Sequence, residues 1–322
     1  MSDSILELAR QVNPKVEQQH IVELSGGYSS KAYKINIADS PFVLLIEREG
    51  AVSSANYGHS YTVLSLLQKH NLAHAPLPLW LEPNHKALAV SFFEGIAADQ
   101  FDFAASAIDT EQLSIAVIDN LLDAAVVELN EYKELASRLN VTPLPIQTAQ
   151  DAAREYGQEW FKIVQKSCPD PSIINWLEPR IETMQRLANT MNRSKPALGH
   201  NDPSNPNILL NTKGDFMLID WDSARFHTAG PEFYISYTTE LTDFMKPYSQ
   251  KLIEHVASKL DMAQDEFANR VHECRRFSSI GDVNWAAMMM AKVNSGEIEG
   301  NLENFRNLAR QRIARYEQAF EH

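Results

Sequence analysis

The sequence predicts an α+β protein, with a small β-rich segment over residues 1–94 followed by a large, mainly helical segment over residues 95–322. Three observations carry this. Short apolar runs with period-two alternation crowd the first ninety residues. From Asp109 onward the apolar spacing changes to long 3.6-residue periodicity. A single glycine-containing hairpin pattern, residues 208–219, interrupts the helical part.

Ile21–Leu24 is a short apolar run ahead of a Ser25-Gly26-Gly27 turn. Residues 32–37 then alternate, with Ala32, Lys34 and Asn36 on one face and Tyr33, Ile35 and Ile37 on the other. Asp39-Ser40-Pro41 signals a turn into a third strand, Phe42–Ile46, which completes a meander. Tyr61, Val63, Leu64 and Leu67 have helical spacing within a helix expected over 60–70, which Pro76 and Pro78 end. Residues 79–81 and 87–93 read as a hairpin, and Phe93-Glu94-Gly95 as the crossing between the two segments. Helices are expected over 111–139, 149–166 and 173–191, with several more after Tyr248. Between them, Ile208–Leu210 and Phe216–Ile219 flank Asn211-Thr212-Lys213-Gly214, a β-hairpin signal.

Composition narrows the function. Over 322 residues, 42 acidic against 29 basic side chains leave a net charge of −13. Nucleic acid needs a basic face, and anionic membranes need basic clusters, so neither is an expected partner. Two cysteines, Cys168 and Cys274, build neither a disulfide framework nor a zinc ribbon. The N-terminal residues lack a basic stretch followed by an apolar run, and no apolar run approaches the ~20 residues of a membrane span, so a cytoplasmic location is expected.

The chemistry concentrates in Gly199-His200-Asn201-Asp202-Pro203-Ser204-Asn205-Pro206-Asn207, the hairpin, and then Leu218-Ile219-Asp220-Trp221-Asp222. Asp202 and Asn207 enter one strand and Asp220 leaves its partner, so three oxygen-bearing side chains converge at one end of a ribbon. Carboxylate and amide oxygens suit a hard cation such as Mg²⁺, and phosphoryl transfer needs such a cation plus one carboxylate to orient a hydroxyl.

This segment resembles the catalytic loop and metal-binding motif of the aminoglycoside phosphotransferase and choline kinase-like superfamily, which has the bilobal protein-kinase-like fold. The family pattern is His-Gly-Asp, four residues, Asn, then an Ile-Asp-Trp-Glu-type motif. Here Asn201 replaces the glycine and Asp222 the glutamate. The resemblance implies Asp202 as catalytic base, His200 as the residue shaping the loop, and Asn207 and Asp220 as Mg²⁺ ligands. It implies ATP as cofactor, covered by the loop Ser25, Gly26, Gly27, Tyr28, Ser29 and Ser30, with Phe93 at the hinge. Residues 1–94 become the nucleotide-binding lobe and 95–322 the catalytic and acceptor-binding lobe.

Two departures matter. The family's third strand carries a Lys or Arg for the phosphates, and its next helix a Glu to pair with it. Here those positions fall on Leu45 or Ile46, and on Ser60 or His59. Joint loss is coherent, since removing one partner alone strands a charge. Arg48, Lys31 and Lys34 are the basic residues left to serve the phosphates. After the metal motif, Ala229-Gly230-Pro231-Glu232 replaces the family's Gly-Asp-Pro.

In this superfamily the acceptor binds among the C-terminal helices. Asp282, Asn284, Trp285, Glu297, Glu299 and Glu303, with Tyr234 and Tyr237, would suit a cationic acceptor through charge and cation–π attraction. The alternative reading of these acids is a solvated face, and of Met288-Met289-Met290 an adaptable core. The expected activity is ATP- and Mg²⁺-dependent phosphorylation of a hydroxyl on a small molecule: choline-like, an amino alcohol or an amino sugar. The alternative is a kinase-fold binding protein without phosphotransfer. A hydrolase built on Asp220 and Asp222 is a third and weaker reading. A monomer and a homodimer are equally compatible with the sequence.

Overall fold

The computed structural model of the chain describes residues 3–24, 30–38, 40–48, 56–191 and 195–321. The chain forms two compact units. Met1–Pro145 with Leu198–Arg225 make the first, and Ile146–Ala197 with Phe226–His322 the second.

The first unit opens with helix α1 (Asp3–Val12), which the sequence reading did not predict. A five-stranded antiparallel sheet follows, built from β1 (Ile21–Leu24), β2 (Ser30–Ile35), β3 (Phe42–Glu47), β4 (Pro78–Leu81) and β5 (Ala87–Ser91), in spatial order β1-β2-β3-β5-β4. The expected three-strand meander and the second hairpin are therefore both present. The predicted alternation sets the faces. Tyr33 and Ile35 of β2 join Phe42 and Leu44 of β3, Ala87 and Ala89 of β5, and Ile5 and Ala9 of α1 in one buried core. That outer face is sealed by α1. The inner face carries the other parity: Ser30, Ala32 and Lys34, then Val43, Leu45 and Glu47, then Leu88 and Val90.

Helix α2 (Tyr57–Lys69) starts at Asn56, whose side chain accepts the His59 N–H, and packs on β4 and β5. It begins three residues before the predicted start. The region expected as one helix over 111–139 is two: α3 (Thr110–Asp123), a 3₁₀ turn over Ala124–Val126, and α4 (Leu129–Arg138). The reason lies in the break. Val127 is extended and buried, and Glu128 and Glu131 form a capping box that starts α4 afresh. A short strand, β7 (Ala197–Gly199), leads into the loop at His200, and a second, three-stranded sheet pairs β6 (Ile96–Ala97) with β8 (Ile208–Leu210), and β8 with β9 (Phe216–Leu218). The 208–219 hairpin is thus as expected, with an extra edge strand.

The second unit is helical apart from short strands. After α5 (Ala149–Ala152), its axis is α10 (Gln264–Asn294), against which α6 (Trp160–Ser167), α7 (Pro171–Met191), α8 (Pro231–Leu241), α9 (Ser249–Lys259) and α11 (Leu302–Phe320) pack. Met288, Met289 and Met290 are core residues there. The stretch 149–166 is helical, but Ala153–Glu159 widens into a π-turn. Buried Asn284 of α10 donates its amide to the Tyr156 and Gly157 carbonyls at 2.7 and 2.8 Å, satisfying acceptors inside that turn. Among the described residues, no helix is long and apolar enough to cross a membrane.

Candidate active site

The site grows out of the β8–β9 hairpin. Its turn is set by Asn211, whose Oδ1 accepts the Lys213 and Asp215 N–H groups, and by Gly214 at φ 88°, which a side chain would resist. The loop before β8 is pinned by His200. Its Nδ1 accepts the Asp202 N–H at 3.3 Å, so its Nε2 carries the proton and donates to the Ile219 carbonyl at 2.8 Å. The ring is fully buried against Trp221, centroids 4.5 Å apart. Burial lowers the His200 pKa and keeps the ring neutral, despite the opposing pull of Asp202. Trp221 is itself core, donating Nε1–H to the Leu218 carbonyl.

Asn201, where the family has Gly, sits at φ 65°. The position demands a left-handed backbone, and Asn is among the non-glycine residues that tolerate it best. Its amide then donates to the Ser223 carbonyl at 3.1 Å, tying the loop to the residues after β9.

Asn207 is buried and donates its amide nitrogen to both the carbonyl and Oδ2 of Asp202, each at 2.9 Å. Its own carbonyl accepts the Ile219 N–H at 2.9 Å. The amide nitrogen is thereby committed to Asp202, which leaves the side-chain oxygen for another partner. Asp220 follows directly, in the left-handed region at φ 64° and ψ 57°. Burial, then the charge of Asp222, a hydrogen bond with it and the charge of Asp202, push the Asp220 carboxyl well above the usual carboxylate range. Asp202, Asn207 and Asp220 thus lie together at one oxygen-rich end of the hairpin, with Asp222 beside Asp220.

The donor set fits a hard divalent cation. The Asp220 carboxylate and the Asn207 amide oxygen are of the right chemistry, and a cation would relieve the repulsion that raises Asp220. Among the described residues there is no cluster of three His, Cys, Asp or Glu side chains placed to hold a metal by themselves. A cation here would therefore share its shell with water or substrate oxygens, as Mg²⁺ does.

Of the proposed nucleotide contacts, Ser25, Gly26, Gly27, Tyr28 and Ser29 lie outside the described residues. Ser30 starts β2 on the inner face, and its Oγ accepts the Tyr57 hydroxyl at 2.7 Å. Tyr57 is buried, and the charges of Asp222, Glu47 and Asp220, with burial first, raise its pKa. Sequence reasoning missed this tyrosine, because it lies ahead of the helix start expected at residue 60. Arg48 is exposed just past β3. Phe93 folds back on Gly95, where an added Cβ would lie 2.6 Å from the Phe93 ring and 2.7 Å from the Leu210 carbonyl oxygen. Leu45 stands on the inner face, and the Ser60 hydroxyl donates to the Asn56 carbonyl, so neither position holds a charge. His59 is wholly buried, its Nδ1 2.8 Å from the Tyr132 hydroxyl and its Nε2 against the Ala224 carbonyl.

In the second unit, the residues considered for a cationic acceptor are largely engaged. The Asn284 amide nitrogen is spent on the π-turn, Glu297 pairs with Lys292 at 2.8 Å, and Glu303 pairs with Arg306. Trp285 faces Phe305 and the Arg312 guanidinium. The side chains of Tyr234 and Tyr237 lie outside the description.

Residues 20–262 match the model of the phosphotransferase enzyme family. No curated protein matches the chain by sequence. Among solved structures, an ethanolamine kinase from Plasmodium vivax is 13% identical, with a TM-score of 0.64 over 98% of this chain and 84% of that one. A choline/ethanolamine kinase family protein from Mesorhizobium loti is 13% identical, with a TM-score of 0.65 over 98% and 95%. Spectinomycin phosphotransferase, in complex with ADP and spectinomycin, is 12% identical, with a TM-score of 0.65 over 99% of each chain. At these identities the likeness is one of fold, and the fold is kinase-like.

Proposed function

The chain belongs to the phosphotransferase enzyme family, and from that premise we propose that it transfers a phosphoryl group from ATP, with Mg²⁺, to a hydroxyl of an aminated small molecule. The observation that carries the reading is Asn207's double hydrogen bond to Asp202, at the end of a hairpin whose other strand delivers Asp220. Solved relatives of the same fold bind ADP in one case and are choline or ethanolamine kinases in others, which supports the nucleotide and the acceptor class.

Asp202 takes or orients the acceptor hydroxyl's proton. The Asn207 amide holds the Asp202 carboxylate in one rotamer, and the backbone N–H of Asp202 is anchored on His200. Asp220 and the Asn207 oxygen would hold Mg²⁺, which when bound neutralises phosphate charge. His200, neutral and buried, fixes the loop against Ile219 and takes no proton. Ser25 to Ser30 would cover the phosphates and Phe93 would border the base.

The test is a thermal melt with and without MgATP, beside Asp220→Ala. Ligand at a hundredfold its dissociation constant adds about 2.7 kcal/mol, a rise of several degrees. The expected result is a Mg²⁺-dependent rise that Asp220→Ala loses while its ligand-free melt stays cooperative. An acceptor screen over amino alcohols and amino sugars follows. A second reading, binding without phosphotransfer, is favoured by the uncharged Leu45 and Ser60. A Mg²⁺-dependent rise with no turnover on any acceptor would support it, and no rise with any nucleotide would overturn the ATP reading.

A further inference from the structure

A nucleoside triphosphate brings several negative charges, and the inner face of the five-stranded sheet must answer them. The third-strand position that carries the family's cation is Leu45 or Ile46 here. The described inner face holds two charged side chains, Lys34 on β2 and Glu47 on β3. The segments left undescribed between β1 and α2, residues 25–29, 39 and 49–55, contain no Lys or Arg.

The other basic residues of the first ninety-four are placed elsewhere. Lys31 has the opposite parity on β2 and is exposed on the α1 side. Arg48 follows β3 in the alternation of Leu44 and Ile46, which face α1. Arg10 donates to the Val16 carbonyl, and Lys69 is paired with Glu131. Lys15 lies in the turn after α1, and Lys86 in the exposed turn before β5.

Lys34 is paired with Val43, so Leu45 is its diagonal neighbour across the strands. Diagonal neighbours in an antiparallel pair are about 7–8 Å apart, within reach of a long side chain. The ammonium lies 3.9 Å from the centroid of the Phe92 ring, beside Phe93. A cation–π seat holds the charge without committing it to a carboxylate, and leaves it ready for a stronger anionic partner.

We propose that Lys34, parked on Phe92, is the nucleotide's phosphate-binding cation in this chain, displaced by one strand from the position where the family carries it. This rests on the ATP reading above. In the nucleotide-bound state the side chain leaves the ring and lies over Leu45, toward the phosphates.

The test measures MgATP and adenosine binding by calorimetry for the wild type, Lys34→Met, Lys34→Arg and Lys31→Met. Lys34→Met should weaken MgATP binding by about ten- to a hundredfold, the value of a hydrogen bond to a charged group. Adenosine, which has no phosphate, should bind Lys34→Met as it binds the wild type. Lys34→Arg should retain MgATP binding, and Lys31→Met should match the wild type within about twofold, as an exposed charge on the far face does. In turnover, Lys34→Met should raise the KM for ATP and leave the KM for the acceptor unchanged. MgATP binding by Lys34→Met at wild-type strength would overturn the proposal while the ATP reading stands. An equal loss for adenosine and MgATP would overturn the phosphate assignment. Failure of the wild type itself to bind MgATP would overturn both.

Discussion

His59 is a histidine the fold cannot protonate cheaply. It sits in the first turn of α2 with no exposed surface. The Ala224 carbonyl can only accept, so the ring proton is on His59 Nε2 and Nδ1 accepts the Tyr132 hydroxyl at 2.8 Å, while that hydroxyl accepts the Leu144 N–H at 3.0 Å. Burial, followed by the smaller repulsion of Arg225, lowers its pKa from 6.5 to about 4 against the opposing pull of the Ala224 hydrogen bond and of Asp222. The folded value lies below the unfolded one, so between these two pH values the unfolded chain binds more protons. Stability therefore falls as pH drops from about 6.5 and levels off below about 4. At pH 5 the loss from this one group is about 2 kcal/mol relative to pH 7.5. Gln at the same place keeps a donor for Ala224 and an acceptor for Tyr132 but cannot titrate. Urea unfolding of wild type and His59→Gln at both pH values should show their stability difference changing by about that amount, in the variant's favour at acid pH. The His59 ring signal in NMR should stay in its neutral position down to pH 5. A ring titrating near its ordinary value, or a stability difference flat with pH, refutes the reasoning.

Gly58→Ala should destabilise the first unit by about 1–3 kcal/mol, although alanine is the better helix former, because overpacking dominates. The new Cβ would lie 2.7 Å from Val141 Cγ2 and 2.9 Å from His85 Nδ1. A urea midpoint at or above the wild type's contradicts this. Tyr57→Phe deletes the donor to Ser30 from a buried ring and should cost about 1 kcal/mol in the same assay. Ser30→Ala on top of it should add little further, since both remove one hydrogen bond, and fully additive losses would show that the bond carries nothing.

The geometry of the 199–222 loop and hairpin was legible because it is local. His200, Asp202, Asn207 and Asp220 lie within 21 residues on one hairpin, and that ribbon brings its two ends together whatever surrounds it. The strand alternation was legible for the same reason: Tyr33 and Ile35 point one way because the pleat has period two. By contrast, the break between α3 and α4 was not visible. Apolar periodicity runs through Val126 and Val127, and only a capping box and a buried valine decide against continuing the helix.

Composition, parity and the hairpin motif by themselves determined an α+β chain, an acidic balance and an oxygen-rich site. They could not say which face of the sheet looks inward. That was decided by α1, which buries one parity and leaves Lys34, Leu45 and Glu47 on the other. Nor could they place Tyr57 on Ser30, 27 residues away, or His59 between Tyr132 and Ala224, 73 and 165 residues away. Such contacts have no periodicity to announce them. They exist because burial strips water from polar side chains, and each must then find its partner wherever the chain happens to return.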